Sequence, residues 1–303
     1  MPVQIAETLV RSCLTILACP CFLVVLIGWT SELQAEDSLS QLREEVRTED
    51  PPAPSRDRAS DRRATSYNPS CDPSNPDTQS DGWGDLLLPA VSVAGIVASS
   101  PFWGPPMLIG DSRLESGYFP RYPYKERGGY MWIGDPVPDV YVVGVRARSD
   151  FGTNFGKIDW IGGNLLVEST MRLGIESDFR VLQQNGPSTT FDSATLGDAN
   201  LFYRFAQSNQ FQARTGIGFN YLTDRADSNF GGNFTYAVDW YPVKPVIVSA
   251  EIDLGWLGHE SLFHFRVTEG VNWKYGEAFV GYDYYDVGNF QVGGMVAGMR
   301  LWF

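Results

Sequence analysis

Apolar and polar residues alternate with a period of two from about residue 139 to the C-terminus, which is typical of β-strands with two different faces. Between Leu165 and Val181 the apolar side chains share one parity, whereas Glu168, Arg172 and Glu176 occupy the other. The alternation recurs at 211–221, 233–240, 246–256 and 263–274, and more weakly at 141–148. Such runs match the about 9–11 residues that a tilted strand needs to cross a bilayer, whereas strands of soluble proteins usually have about five or six. The pattern therefore predicts long strands with one apolar and one polar face.

The last strand ends on an aromatic residue. Its apolar face consists of Met295, Ala297, Met299, Leu301 and Phe303. A terminal Phe after alternating apolar residues resembles the signal by which bacterial outer-membrane barrels are recognised for insertion. The resemblance assigns that signal to Met299, Leu301 and Phe303, and it implies outer-membrane lipid and the barrel-insertion machinery as partners.

The connections between the strands have two lengths. If the C-terminus is periplasmic, the connections at 183–195, 224–229, 257–261 and 286–289 lie outside, and those at 207–210, 241–245 and 274–277 lie inside. Apart from 286–289 the outer set is longer, as in outer-membrane barrels. Counting gives eight strands from about Asn164 to Phe303, or ten if the Tyr141 strand and a short partner near 130–132 join. We therefore predict an all-β fold, an antiparallel up-and-down transmembrane β-barrel of about 8–10 strands. A soluble β-sandwich with its apolar parity inward, or a soluble ligand-binding barrel, is the alternative.

The N-terminus has the layout of a secretory signal. An apolar run over 13–29 is followed by TSELQA (30–35), with the small Ala35 at the cleavage point, which predicts a signal peptide at 1–35 and an outer-membrane location. An uncleaved membrane anchor is the alternative. Cleavage would leave Cys71 as the single cysteine, so the exported chain would have no internal disulfides.

Two further segments precede the predicted barrel at 139–303. Residues 36–80 are acidic and Pro-rich and are predicted to form a disordered linker. A short amphipathic helix around Glu44, Glu45 and Arg47 is the alternative for this part of the linker. We identify no partner for this linker from the sequence. Residues 81–138 are rich in Pro, Gly and aromatics and are predicted to form an irregular collar or plug.

The polar parity predicts a charged barrel interior. Its eight cations and eight acids would pair inside a small barrel and occlude the lumen, and His264 would hydrogen-bond an acid such as Glu251. We expect neutral replacement of Arg214 or Glu251 to lower thermal stability more than it changes conductance. The predicted lumen network consists of Arg146, Arg148, Glu168, Arg172, Glu176, Asp198, Arg204, Arg214, Asp239, Glu251, Asp253, His264, Arg266, Lys274, Glu277, Asp283 and Arg300.

Aromatic residues of the apolar parity concentrate near strand ends. Amphipathic rings suit the depth of the lipid headgroups, so these residues are predicted to form interfacial girdles. Core aromatics of a soluble sandwich are the alternative. The predicted girdle consists of Tyr203, Phe205, Phe211, Tyr221, Trp240, Phe263, Trp273, Tyr282, Tyr284 and Phe303.

Catalytic and metal-binding motifs are weak. His259 and His264 are five residues apart on a strand and point to opposite faces, unlike the four-residue helical spacing of zinc proteases. A barrel-embedded lipid hydrolase, a second alternative function, would require His264 to reach a hydroxyl such as that of Ser261 or Ser249. We therefore predict no enzyme, no cofactor and no metal site.

Composition narrows the class of partner. The 303 residues include 23 Lys and Arg against 36 Asp and Glu, a net charge of −13. So acidic a chain has no broad positive field for a polyanion, which excludes nucleic acid as an expected partner.

Six segments in about the last third of the chain carry a family resemblance. They are DANL (198–201), GIGFNY (216–221), NFTY (233–236), WYPVKP (240–245), GYDY (281–284) and RLWF (300–303), with weaker matches at PFW (101–103) and FPRYPY (119–124). Together they resemble an uncharacterised planctomycete family of outer-membrane β-barrel-like, porin-like proteins. The resemblance implies envelope location and β architecture, and no activity. The predicted function is an outer-membrane barrel with a charge-balanced, narrow or occluded lumen, serving a structural role or limited small-solute passage.

Overall fold

The computed structural model describes residues 39–47, 99–111, 115–126, 128–156, 158–184, 192–224 and 227–303. The predicted signal peptide, Cys71, most of the predicted linker and the start of the predicted collar lie outside these ranges. None of the helices in the described ranges has both the length and the apolar character needed to span a membrane.

Ten long strands form a closed antiparallel barrel. They are β4 (Val143–Thr153), β5 (Ile158–Ser169), β6 (Leu173–Gln184), β7 (Asp192–Gln207), β8 (Phe211–Thr223), β9 (Ser228–Val243), β10 (Val246–Leu257), β11 (Glu260–Trp273), β12 (Gly276–Val287) and β13 (Phe290–Trp302). Each strand pairs with its neighbours in sequence, and β13 pairs with β4 to close the ring. The all-β barrel predicted from the alternation is confirmed, with the larger of the two strand counts.

One detail of the ten-strand prediction is wrong. The short segment near 130–132 does not join the barrel but forms part of a three-stranded sheet in the order β2 (Trp132–Ile133), β1 (Gly117–Pro120), β3 (Val140–Tyr141). The tenth strand arises instead because the run from Leu165 to Val181, which the strand count treats as one strand, is divided by the turn at 170–172 into β5 and β6.

The two faces of the barrel wall are inverted relative to a soluble core. The outward side chains are apolar and exposed, as at Ile217 (68%), Ile175 (58%) and Val280 (54%), whereas the inward ones are largely charged or amide side chains that are buried. The apolar parity therefore faces outward along each strand, and it does not pack against a second sheet as it would in a sandwich.

The two mouths of the barrel differ. The C-terminal mouth carries the C-terminal end of β13 and the short turns at 170–172, 208–210, 244–245 and 274–275. The opposite mouth carries the last described residues of β4, β6, β8, β10 and β12 and the first of β5, β7, β9, β11 and β13. It contains helix α1 (Leu39–Arg47), so we call it the α1 mouth. The longest connection belongs to the α1 mouth, as the strand count predicted.

Helix α1 fills the α1 mouth with its apolar face. Leu39, Leu42 and Val46 are fully buried in one cluster with apolar residues of the barrel interior, including Leu182 and Leu257. Isolated nine-residue helices are marginal in water, so this packing stabilises α1. These nine residues belong to the segment predicted as a linker, and they form the short amphipathic helix that its sequence left open.

Residues 99–109 form a second helix, α2, which lies on the outer face of the barrel. The Phe102 ring packs 5.9 Å from that of Phe205, and the Tyr236 hydroxyl donates to the Pro101 carbonyl at 3.0 Å. Phe205 is consequently buried, unlike the other predicted girdle residues. Met107 and Leu108 project from α2 and are exposed.

Candidate functional site

The lumen of the barrel is the candidate site because it contains the buried charges of the chain. It is described below from the C-terminal mouth, through a layer of ion pairs, to the floor of α1.

An aromatic plug closes the C-terminal mouth. Phe119 and Tyr130 enter from the segment before the barrel and pack against Trp302 and Tyr241 of the barrel wall, with Tyr130 and Trp302 ring centroids 4.6 Å apart. Gly144 permits this approach, since a Cβ there would lie 2.7 Å from both the Phe119 ring and the Tyr130 hydroxyl. Burial raises the pKa of Tyr130, so this phenol stays neutral within the plug.

Polar contacts hold the segment before the plug to the barrel. Asp111 accepts two hydrogen bonds of 2.7 Å from the Arg172 guanidinium, a bidentate pair, and a third from the Gln207 backbone N–H. The Glu115 carbonyl accepts a hydrogen bond from the Gln207 side chain at 3.0 Å. The segment is thus tied to the turn between β5 and β6 and to the end of β7.

Ion pairs fill the lumen above the plug. Arg300 contacts Glu277 at 2.6 Å, and Arg146 contacts Asp239 at 3.0 Å. Arg214 bridges Asp239, at 2.5 Å, and Glu176, at 3.4 Å. Each of these side chains is buried, so each charge depends on its partner rather than on water.

A second group of ion pairs surrounds His264. The His264 Nδ1 atom faces Asp253 at 2.5 Å, and its Nε2 atom faces Asp283 at 2.8 Å. Asp283 also pairs with Arg266, at 3.0 Å, and with Arg180. His264 contacts Asp253 and not Glu251, which the sequence suggested as its partner. The reason is that the two-residue turn at 258–259 sets Asp253 directly opposite His264 in the pairing of β10 with β11.

The membership of the lumen network differs from the predicted set in both directions. Lys274 is exposed because it lies in the β11–β12 turn with positive φ, so its placement in the lumen is corrected. Asp150, Asp178 and Arg180 belong to the network and were missed, although they continue the inward parity of Arg148 and Glu176 along their strands. Arg172 is buried but also lies in a turn with positive φ, and it pairs with Asp111 of the segment before the barrel, so its place in the lumen network is corrected as well. The remaining predicted members are buried.

The buried charges are not balanced. The described residues include eight buried guanidiniums and ten buried carboxylates: Arg146, Arg148, Arg172, Arg180, Arg204, Arg214, Arg266 and Arg300 against Asp150, Glu168, Glu176, Asp178, Asp198, Asp239, Glu251, Asp253, Glu277 and Asp283. Because Arg172 pairs with Asp111 outside the wall, seven guanidiniums serve these ten carboxylates.

The excess of carboxylates is concentrated at one level. Within the described part of the chain, neither Asp198 nor Asp253 has a guanidinium nitrogen within 4.0 Å, and Glu251 reaches one only at 3.9 Å, from Arg214. Each of the other seven has one at 3.4 Å or less. A chain of hydrogen bonds links Asp198 to Asp253 through the side chains of Asn200, Asn233 and Thr235. Glu251 lies two residues before Asp253 on β10, and we call Asp198, Glu251 and Asp253 the acidic level.

The floor of α1 is made by stacked rings and cations. The His264 and Tyr285 rings stack with centroids 4.0 Å apart, and the Arg180 guanidinium lies 4.1 Å from the Tyr285 ring centroid. Tyr285 belongs to the same buried cluster as α1. The lumen therefore changes from ionic to apolar at Tyr285.

The predicted girdle residues lie on the outer face near strand ends. Tyr203, Phe211, Trp240, Trp273 and Phe303 surround the C-terminal mouth together with Phe205. Tyr221, Phe263, Tyr282 and Tyr284 lie toward the α1 mouth. Met299 and Leu301 are exposed on the outer face of β13.

In the described part of the chain, neither Ser249 nor Ser261 is placed for nucleophilic catalysis beside His264. Both ring nitrogens of His264 contact carboxylates, and the Ser249 hydroxyl donates to Asp239 at 2.6 Å. Ser261 lies on the exposed side of β11. This geometry does not favour the lipid-hydrolase interpretation.

A groove of about 740 Å³ lies outside the lumen at the C-terminal mouth, between the end of α2 and the β7–β8 turn. Its acidic lining residues are Asp111, which is already paired with Arg172, and Glu115. It has no cluster of nucleophilic or metal-binding side chains in the described residues, so the lumen remains the candidate site.

A comparison of the chain with protein-family models and with curated proteins finds no match.

Proposed function

We propose that the chain is an outer-membrane β-barrel with a closed lumen, and that it has a structural role in the envelope rather than forming an open pore. The observation that carries this proposal is the inverted wall, with apolar side chains exposed outside and charges buried inside. In water the exposed apolar face would be an aggregation hazard, whereas in hydrocarbon it is the stable arrangement.

The dimensions of the barrel support this proposal. Its strands have 11 to 16 residues. A strand of about 12 residues, tilted as in membrane barrels, rises about 30 Å along the barrel axis. This height accommodates the apolar band of membrane barrels, which is about 25 Å tall, and an aromatic girdle at each edge. The placement of the predicted girdle residues at both mouths supports the same interpretation.

The closure of the lumen argues against free passage of solutes. A solute would have to displace the aromatic plug at Tyr130 and Trp302, the ion pairs, and the apolar face of α1. Barrels of about eight strands have interiors just wide enough for side chains to fill, and the contents of this lumen fit such a closed interior.

The proposed orientation places the C-terminal mouth in the periplasm because short turns are typical of that side. Phe303 would then be available there to the barrel-insertion machinery, and α1 would lie at the outer surface. The resemblance to planctomycete porin-like proteins agrees with this proposal.

Gel mobility of the detergent-extracted chain tests the membrane barrel. We expect the unheated protein to migrate faster than the boiled protein and to stay in the membrane fraction after a carbonate wash. Release by carbonate with unchanged mobility would contradict the proposal. In planar bilayers we expect no stable conductance from the purified protein, and steady single-channel steps would contradict the closed lumen.

A further inference from the structure

Three side chains inside the barrel are arranged as metal ligands. Glu251 and Asp253 point inward from β10, and His264 points inward from β11 directly opposite Asp253. One donor atom from each lies within 4.8 Å of the other two. Zn²⁺ takes nitrogen and oxygen ligands at about 2.0–2.2 Å. An ion between the three side chains would therefore replace the 2.5 Å contact between His264 Nδ1 and Asp253.

The far side of His264 is prepared in the way that metal-ligating histidines require. Its Nε2 atom lies 2.8 Å from Asp283, and that carboxylate is held by Arg266 and Arg180. An ionised carboxylate there accepts the Nε2–H and leaves Nδ1, which faces Asp253, with its lone pair. Such a carboxylate–histidine pair fixes the tautomer and orientation of a ligand histidine.

A buried polar atom without a partner lies beside these ligands. The Asn233 side chain is only 6% exposed, and its Oδ1 atom has no hydrogen-bond partner among the described residues. Its Nδ2 atom donates to Thr235 at 3.1 Å, and Thr235 donates to Asp253 at 2.6 Å. A metal-bound water would give Asn233 Oδ1 the donor that it lacks.

The charge of the lumen calls for a cation at this level. The wall has ten buried carboxylates for seven guanidiniums, and the carboxylates without a close guanidinium are Asp198, Glu251 and Asp253. His264 contacts Asp253 and Asp283 and supplies at most one positive charge to the described part of the lumen. A divalent ion bound to the neutral imidazole would supply two. Buried carboxylates without a compensating cation are strongly unfavourable.

We propose that Glu251, Asp253 and His264 bind one divalent transition-metal ion, with Zn²⁺ as the best match to a donor set of one imidazole and two carboxylates. The ion joins β10 to β11 and neutralises the acidic level between the ion pairs and α1. A water at the open fourth position would be the donor that Asn233 Oδ1 lacks. This proposal is independent of the membrane location, since it rests on the lumen alone.

The test uses the full tag-free chain, folded in detergent and stripped of metal with a chelator. With ZnCl₂ as the probe, we expect one tightly bound Zn²⁺ per chain by elemental analysis. At free Zn²⁺ about a hundredfold above Kd, the unfolding midpoint should rise by about 5–10 °C. Absence of both effects, with Mn²⁺, Co²⁺ and Ni²⁺ also inactive, overturns the proposal and leaves His264 as a bridge between two carboxylates.

Matched variants locate the ion. Glu251→Gln removes a ligand whose nearest guanidinium is at 3.9 Å, so the variant should fold and bind Zn²⁺ at least about tenfold more weakly. The control is His259→Gln, which removes the exposed histidine outside the lumen, so it should bind like the wild type. Unchanged binding by Glu251→Gln, or equal loss in the control variant, would place the ion elsewhere and overturn the assignment.

Discussion

Removal of one buried guanidinium tests whether the lumen is dry. Arg204 is 1% exposed, and its guanidinium contacts Glu168, donates to the Ser169 carbonyl at 2.9 Å and to the Gln207 side chain at 3.0 Å. Among the described residues, Arg204 is the cation within 4.0 Å of Glu168. The Arg204→Met substitution therefore leaves a buried carboxylate without its cation while keeping most of the side-chain volume.

The expected loss follows from the burial of the pair. Removing one partner of a buried ion pair costs about 3–5 kcal/mol, whereas an exposed pair contributes about 0–1 kcal/mol. A loss of 3–5 kcal/mol lowers the unfolding midpoint of a chain of this size by about 6–20 °C. Adding Glu168→Leu removes the stranded charge, so we expect the double variant to recover more than half of the loss.

Urea unfolding in lipid vesicles, followed by tryptophan fluorescence, measures these differences. The control is Arg121→Met, which removes an exposed arginine that contacts the Tyr141 hydroxyl outside the barrel, with an expected loss of about 0–1 kcal/mol. If Arg204→Met were no more damaging than Arg121→Met, or if it raised conductance at unchanged stability, the lumen would be a hydrated passage and the reasoning would fail.

Further substitutions test the mouths and the outer face. Leu42→Asp puts a charge into the buried cluster at the α1 mouth, so protease should cleave around α1 faster than in the wild type, whereas the exposed Gln41→Asp should leave cleavage unchanged. Gly144→Val crowds the aromatic plug and should cost about 1–3 kcal/mol in urea unfolding, and the bilayer should stay silent because the ion pairs and α1 still close the lumen. An unchanged urea midpoint would mean that the plug does not pack against Gly144. Ile217→Arg on the outer face should cost about 2–4 kcal/mol in vesicles, and a null effect there would mean that this face does not touch lipid.

The barrel wall was readable from the sequence because strand periodicity is local. Side chains at i and i+2 share a face whatever the partner strand is, so the inward direction of Arg214 and Asp239 and the outward direction of Ile217 follow from parity alone. Lys274 broke this rule because it lies in a turn with positive φ, where the alternation stops. Asp150 and Arg180 follow the rule, because their positions on β4 and β6 have the same inward parity as Arg148 and Glu176, so the sequence was sufficient to place them in the lumen.

The contents of the lumen depended on contacts between residues far apart in sequence. Nothing in the acidic segment at 36–80 indicates that Leu39, Leu42 and Val46 have an apolar mouth to fill, because its apolar lining comes from several different strands. Similarly, Phe119 and Tyr130 become a plug only when the closed ring brings Trp302 and Tyr241 beside them.

The alternation of residues by itself determined the all-β class, the long strands and the face on which each charge lies, since these depend on backbone geometry within one strand. Only the tertiary structure decided which charges meet, that carboxylates exceed guanidiniums at the level of Asp198, Glu251 and Asp253, and that both mouths are filled. The physical reason is that ion pairing and closure depend on distances across the ring. Those distances are set by the register and closure of all ten strands together.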